Sequence, residues 1–298
     1  MTSFDGVNSN QQVHTIAHII NPFKAAETSD LFVAQPITFE SMIRAKTFAK
    51  DIVQVELWSA CYEEDNGLTP KPFRNTPFLT QSVLDSCSFD KKMKLPLIRD
   101  ILERLYSSTE ADYLIYSNVD IGVYPEFYVR VNALIEEGHD AFIINRRRLP
   151  EIYDSLEDLE HIYKDIGKSH PGFDCFVFSR KMFPKFQLSN VCIGVPFIGI
   201  TLAQNVFCFS SKYTIIEEEK LTFHIGMEIY KKRASKDYFR YNRKEFWKAM
   251  KLISSKHHAH KLPYANRSLI VRLIKYGLNP SIPIRWVLFL EGRSYLRR

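Results

Sequence analysis

Apolar and polar positions alternate between two periods along this chain. The first apolar run, VHTIAHIINPF from Val13 to Phe23, is rich in β-branched residues and closes on Asn-Pro, which predicts a strand running into a loop. Past Gln35 and Pro36, ITFESMIRAKTFAKDI sets Phe39, Met42, Ile43, Ala45, Phe48 and Ala49 at helical spacing, so a helix is expected from Ile37. VQVELWSACY follows as a second strand and runs into Glu63-Glu64-Asp65-Asn66-Gly67. Prolines at 70, 72 and 77 make the region from Leu68 to Lys94 a loop, with a short helix in FLTQSVLDSC. LPLIRDILERLYSST then places Leu97, Ile98, Ile101, Leu102 and Leu105 on one helical side, and it leads into the strand ADYLIYSNVDIGVY.

The second half continues the alternation. FYVRVNALIEEG reads as a helix, DAFIINRRR as a fourth strand, LEDLEHIYKDIG as a helix, GFDCFVFSR as a strand, and KLTFHIG as a last strand. The most apolar window, Val191 to Phe209, is interrupted by Gly194, Pro196, Gly199, Gln204 and Asn205, which suits a buried segment better than a membrane span. Strand, helix, strand, helix, strand is the order of an α/β domain whose largely parallel sheet is covered by helices.

One strand ends oddly. YLIYSNVDIGVYPEFY begins as a buried run and then places Asn118 and Asp120 at its exit. Ligands of open α/β sheets bind beyond the carboxyl ends of the strands, where the loops splay apart. Two oxygen-bearing side chains at i and i+2, followed by Gly122, can face a divalent cation that neutralises a diphosphate. The same two residues could equally close the strand as turn formers.

Composition changes this picture at one end only. With 298 residues, 45% apolar and 25% charged, the chain has the make-up of a globular protein rather than a disordered one. MTSFDGVNSNQQ has no basic or apolar signal region, so a flexible lead at 1–12 and a cytoplasmic location are expected. Five scattered cysteines without a CxxC pair suggest reduced, mostly buried thiols. From Met227 on, 18 Lys and Arg face four acids, a net charge of +14 that leaves −8 on the residues before it. This divides the chain into a body at 13–226 and a basic, mainly helical extension at 227–298, with helices in DYFRYNRKEFWKAMKLI and SLIVRLIKYG. Such an extension suits phosphates or an anionic membrane surface, which would make the protein membrane-associated; a plain solvated surface is the alternative. No nucleic-acid motif accompanies it, and no nucleic acid is expected as a partner.

The basic helix start KKMKLPLIRDIL, then ADYLIY, then Asn-x-Asp, then Pro and an aromatic, resembles the DxD region of GT-A-fold nucleotide-sugar glycosyltransferases. The resemblance runs over roughly Val13 to Gly226. It implies a metal-dependent transfer of sugar from a nucleotide-diphosphate sugar to an acceptor, with Mn²⁺ or Mg²⁺ as cofactor. Asp120 matches the second aspartate of the motif as a metal ligand, and Asn118 stands where the first would be. His224, late in the body, would complete the metal's protein shell. Asn21 and Asp65, after the first two strands, would hold the nucleotide, and Arg146, the one member of the Arg146-Arg147-Arg148 run expected to enter the site, would hold the diphosphate. Asp174 would serve the acceptor as base. The Glu-Asp pair that inverting relatives carry after a later glycine is absent, since that stretch reads Ile193-Gly194-Val195-Pro196-Phe197. Two other readings stay open: a nucleotidyltransferase, which would need a Gly-rich loop that NPFKAAETSD lacks, and a non-catalytic nucleotide-sugar-binding protein on the same scaffold.

Overall fold

The computed structural model describes residues 13–150, 152–225, 236–254, 262–275, 278–280 and 282. The expected lead at 1–12 and the boundary near residue 227 lie outside the described residues.

Among the described residues, nine strands build one sheet: β1 (Thr15–Ile20), β2 (Gln54–Ser59), β3 (Arg74–Asn75), β4 (Tyr113–Ser117), β5 (Ile121–Val123), β6 (Ala141–Arg148), β7 (Lys168–Ser179), β8 (Tyr213–Ile216) and β9 (Thr222–His224). Their order is β3-β2-β1-β4-β7-β6-β9-β5, with β8 also pairing β6. β1 lies parallel to β2 and β4, β2 to β3, and β6 to β8 and β9. β7 runs antiparallel to both β4 and β6, and β5 antiparallel to β9. Two reversals cancel across β7, so β6 and β9 point the same way as β1, β2 and β4. The carboxyl ends of all five strands therefore share one edge.

The α/β class and the largely parallel sheet expected from the sequence are present. Successive residues of a strand face opposite sides, and the apolar runs of β1, β4 and β6 are continuous because both sides are covered. On one side, Ile19, Leu114, Tyr116 and Ile143 pack against α2 (Ile98–Ser108) and α5 (Ile198–Phe209). On the other, Ile16, Ile115, Phe142 and Ile144 pack against α1 (Asp30–Phe48) and α3 (Phe127–Glu136). His18 sits in the second layer, 2.9 Å from Tyr128 Oη and 2.8 Å from Ser117 Oγ. Burial lowers its pKa to about 3, so it is a neutral core histidine.

Helix α1 departs from expectation by beginning at Asp30 rather than Ile37. Ser29 Oγ caps it by accepting from the Leu31 N–H, and Pro36 lies inside the helix. A proline forfeits one backbone bond. Here the neighbouring Gln35 anchors the turn instead: its amide donates to Leu31 O and Phe23 O and accepts from the Phe23 N–H, which ties the exit of β1 to the helix.

The interrupted apolar window becomes the buried helix α5, entered through Phe197 at φ 82. Among the described residues no helix is long and apolar enough to cross a membrane. β3 and β8 have no counterpart in the sequence-based expectation, and the single strand expected over ADYLIYSNVDIGVY is split into β4 and β5. Between β6 and β7 lies α4 (Leu159–Lys164), whose Leu159 and Ile162 join Phe223 and Tyr124 in a small core beside β9.

The basic helix α6 (Lys236–Ile253) packs on the body. Tyr238 stacks on Phe89 with centroids 3.8 Å apart, and Phe246 meets Phe197 at 5.4 Å. Its cations Arg240, Arg243, Lys244 and Lys248 line the exposed side. The last described helix is α7 (Leu269–Ile274).

Candidate active site

Every residue singled out from the sequence as a binding or metal-holding group lies at the edge where β1, β2, β4, β6 and β9 end. Asn21 follows β1, and Asp65 closes a short turn, Glu63–Asp65, after β2. Asn21 Nδ2 donates to Ala60 O at 2.6 Å, and Asp65 Oδ1 accepts from the Lys24 N–H at 2.8 Å. Both bonds join the loop after β1 to the loop after β2. Burial pushes the Asp65 carboxyl up, against the opposing pull of that backbone bond.

Asn118 and Asp174 face each other across β4 and β7, one step beyond the Ser117–Cys175 pair. The Asn118 N–H donates to Asp174 O at 3.3 Å, and Asn118 Nδ2 donates to Asp174 Oδ1 at 3.2 Å. On its other side Asn118 Oδ1 accepts from the Tyr116 hydroxyl at 3.0 Å. Arg146 Nη1 forms a short ion pair with Asp174 Oδ2. Both oxygens of Asp174 are thus engaged.

A bulge produces that pairing. Asn145 is in register with Phe173 and Arg147 with Ser169, so three residues, His170 to Gly172, oppose Arg146 alone. Extra residues of this kind bend a strand and re-aim side chains. A Cβ on Gly172 would lie 2.8 Å from Arg146 Nη1, Asp174 Oδ2 and His170 Nδ1, so only glycine leaves room for the three to converge. His170 Nδ1 accepts from the Gly172 N–H at 2.9 Å. The neighbouring arginine turns away: Arg147 donates to Ile166 O and Gly167 O.

Asp120 and His224 form the second cluster. The β5–β9 ladder puts Ile121 opposite His224, which brings His224 Nε2 to 3.2 Å from Asp120 Oδ2. Burial pushes the Asp120 carboxyl up, but the hydrogen bond and charge of His224 and the charge of Arg146 outweigh it and hold the carboxyl below its ordinary range. Burial, with the Asp120 and Asp174 charges adding to it, pushes the Tyr116 hydroxyl up, so it stays a donor.

The donor set fits a divalent cation with two protein ligands. Two ligands bound at about 2.1 Å and roughly a right angle apart stand about 3 Å from one another, which matches the 3.2 Å between the Asp120 oxygen and the His224 nitrogen. Among the described residues no group of three or more His, Cys, Asp and Glu gathers around a metal position. Remaining positions would fall to phosphate oxygens and water, the pattern of cations that dehydrate reluctantly.

Sequence reasoning missed Tyr116 and the bulge that brings His170 beside Gly172. Tyr116 was legible, since i and i+2 of a strand share a face and Asn118 follows it by two. The His170–Gly172 bulge gives no period to find.

No protein-family model matches the sequence, and no curated protein does. The chain is similar to solved structures at low identity. TarS from S. aureus in complex with UDP-GlcNAc aligns at 9% identity and a TM-score of 0.49, over 83% of this chain and 69% of that one. Glucosyl-3-phosphoglycerate synthase from Mycobacterium tuberculosis, in complex with Mn²⁺, UDP and glucosyl-3-phosphoglycerate, aligns at 12% identity and a TM-score of 0.42, over 81% of this chain and 80% of that one. A Bacillus anthracis structure named for glucose-1-phosphate thymidylyltransferase, in complex with a sucrose, aligns at 10% identity and a TM-score of 0.43, over 76% and 95%.

Proposed function

We propose that this chain is a metal-dependent glycosyltransferase that moves a sugar from a nucleotide-diphosphate sugar to an acceptor. The observation that carries the reading is the meeting of Asp120 and His224 at 3.2 Å, on the strand edge where Asn21, Asp65 and Arg146 also lie. Asp120 and His224 would hold Mn²⁺ or Mg²⁺, which when bound supplies positive charge to a diphosphate leaving group. Asn21 and Asp65 would line the nucleotide end. Arg146, whose buried Nε has no hydrogen-bond partner, would turn from Asp174 toward a phosphate oxygen. That exchange would free Asp174 Oδ2 to orient the acceptor hydroxyl and take its proton.

One observation favours a second reading, a nucleotide-sugar-binding protein without transfer: Asp174 has both oxygens engaged by Arg146 and Asn118. A nucleotidyltransferase is less well supported, because the loop after β1, NPFKAAETSD, has no glycine to cradle phosphates.

The basic end is proposed to meet an anionic membrane surface. Leu269, Ile270, Leu273 and Ile274 of α7 are exposed on one side, with exposed Arg267 and Lys275 flanking them. Co-sedimentation with vesicles containing anionic lipid is expected at low salt and should weaken as salt screens the charges. Indifference to such vesicles at low salt refutes this part.

The test of the whole reading is titration with UDP- and GDP-sugars, with and without Mn²⁺, scored for binding and slow donor hydrolysis. Mn²⁺-dependent binding with hydrolysis supports a transferase. Binding alone supports the second reading, and no binding to any of them rejects both.

A further inference from the structure

We infer that Asn118 is a positioning residue, a polarity-matched bridge that holds Asp174 between Tyr116 and Arg146, and not a cation ligand. An aspartate-like residue two before Asp120 invites the metal-ligand reading, but the hydrogen bonds give it other work. An amide offers one acceptor oxygen and a donor nitrogen. Here the oxygen takes the Tyr116 hydroxyl at 3.0 Å, and the nitrogen serves Asp174 Oδ1 at 3.2 Å. The orientation of the amide is set by its neighbour, because the flipped amide would point its oxygen at a carboxylate.

The row Tyr116, Asn118, Asp174, Arg146 is then matched at every contact. Hydroxyl donates to amide oxygen, amide nitrogen to carboxylate, and guanidinium to the second carboxylate oxygen. An aspartate in place of Asn118 would break the middle contact and set two carboxylates against each other at hydrogen-bond distance. In this chain an Asp-x-Asp sequence would not be an improved metal site. The geometry of the row stands without the proposed function, and only its consequence for turnover, an ordered Asp174, rests on that reading.

Polarity reversal tests it. Asn118→Asp removes the donor to Asp174. Adding Asp174→Asn lets the new amide donate to the carboxylate introduced by Asn118→Asp while its oxygen still accepts from Arg146, which restores each contact with the charge moved across the strand pair. Wild type, both single variants and the double variant are compared by thermal unfolding without metal and by Mn²⁺ titration alone. Asn118→Asp should lower the unfolding midpoint by roughly 5 °C without tightening Mn²⁺ binding, and the double variant should recover most of that loss. If Asn118→Asp does not accumulate as folded protein, recovery of folded double variant reports the same coupling. The inference is overturned if Asn118→Asp binds Mn²⁺ more tightly, if it unfolds with the wild type, or if the double variant is no better than the two losses combined. None of these outcomes depends on nucleotide-sugar binding.

Discussion

Gly122→Ala should pull Asp120 and His224 apart without touching either side chain. Gly122 lies opposite Phe223 in the β5–β9 ladder, and its φ is not positive, so the demand for glycine is one of space. A Cβ there would fall 2.2, 2.3 and 2.9 Å from three atoms of the Phe223 ring. Carbon atoms rest at about 3.5–4.0 Å, so ring or strand has to move by about 1.5 Å. The ring cannot yield cheaply: it is fully buried, with Tyr124 at 5.3 Å and Tyr163 at 6.4 Å. Overpacking a filled site typically costs 1–3 kcal/mol, and a clash this close belongs at about 3 kcal/mol, which for a domain of this size lowers Tm by roughly 6–10 °C. If the strands part instead of the ring, Asp120 and His224 part with them, because the Ile121–His224 pair is the neighbouring rung. Thermal unfolding and Mn²⁺ titration of the folded variant at low temperature read both effects, and Gly122→Ala with Phe223→Leu should recover part of each. A Gly122→Ala protein with wild-type Tm and wild-type Mn²⁺ binding refutes the reasoning.

Three further outcomes are expected. Asp120 has a depressed folded pKa, so its contribution is fully present above the unfolded value of about 3.9 and is lost as pH falls through the folded one; in metal-free urea unfolding, the stability gap between wild type and Asp120→Asn should be wide near neutrality and close below about pH 4. Phe246→Ala should cost about 3–5 kcal/mol, since this α6 ring is fully buried against Phe197; a loss under about 1 kcal/mol in denaturant melts would detach the helix from the body. Cys61, Cys175 and Cys192 are buried, and burial raises all three thiol pKa values, to about 12 for Cys192, whereas Cys87 is exposed. A chromogenic disulfide reagent should therefore react fast with Cys87, more slowly with the half-buried Cys208 and not with the other three in the native chain, and the fast phase should be lost in Cys87→Ser.

Much of the layout was legible because periodicity reports burial directly. β1, β4 and the first half of β6 are covered on both sides and read as nearly continuous apolar runs, β2 alternates with Gln54 and Glu56 outward of Val55 and Leu57, and α2 shows one clear apolar side. Asp120, His224 and Arg146 were legible as polar residues at the ends of such runs. What the sequence hid is non-local. β5 and β8 have three and four residues, too few for a period, and exist by pairing with β9 and β6. The early start of α1 depends on a Ser29 cap and on Gln35 reaching back to Phe23, which override the ordinary reading of Pro36 as a beginning. The partners of Asn118 were hidden for the same reason. Whether an amide two residues before an aspartate binds a metal or a carboxylate depends on Asp174, which lies 56 residues further along the chain.

The central claim, that Asp120 and His224 form a cation site at the nucleotide end of the sheet, is tested most directly by electron paramagnetic resonance of Mn²⁺ in the presence of UDP. The free Mn²⁺ signal should fall on adding wild-type protein, with saturation at about one ion per chain. It should persist with Asp120→Ala, and be restored in large part with His224→Ala, both measured on protein shown to be folded. Equal loss of the free signal with wild type and Asp120→Ala would contradict the account.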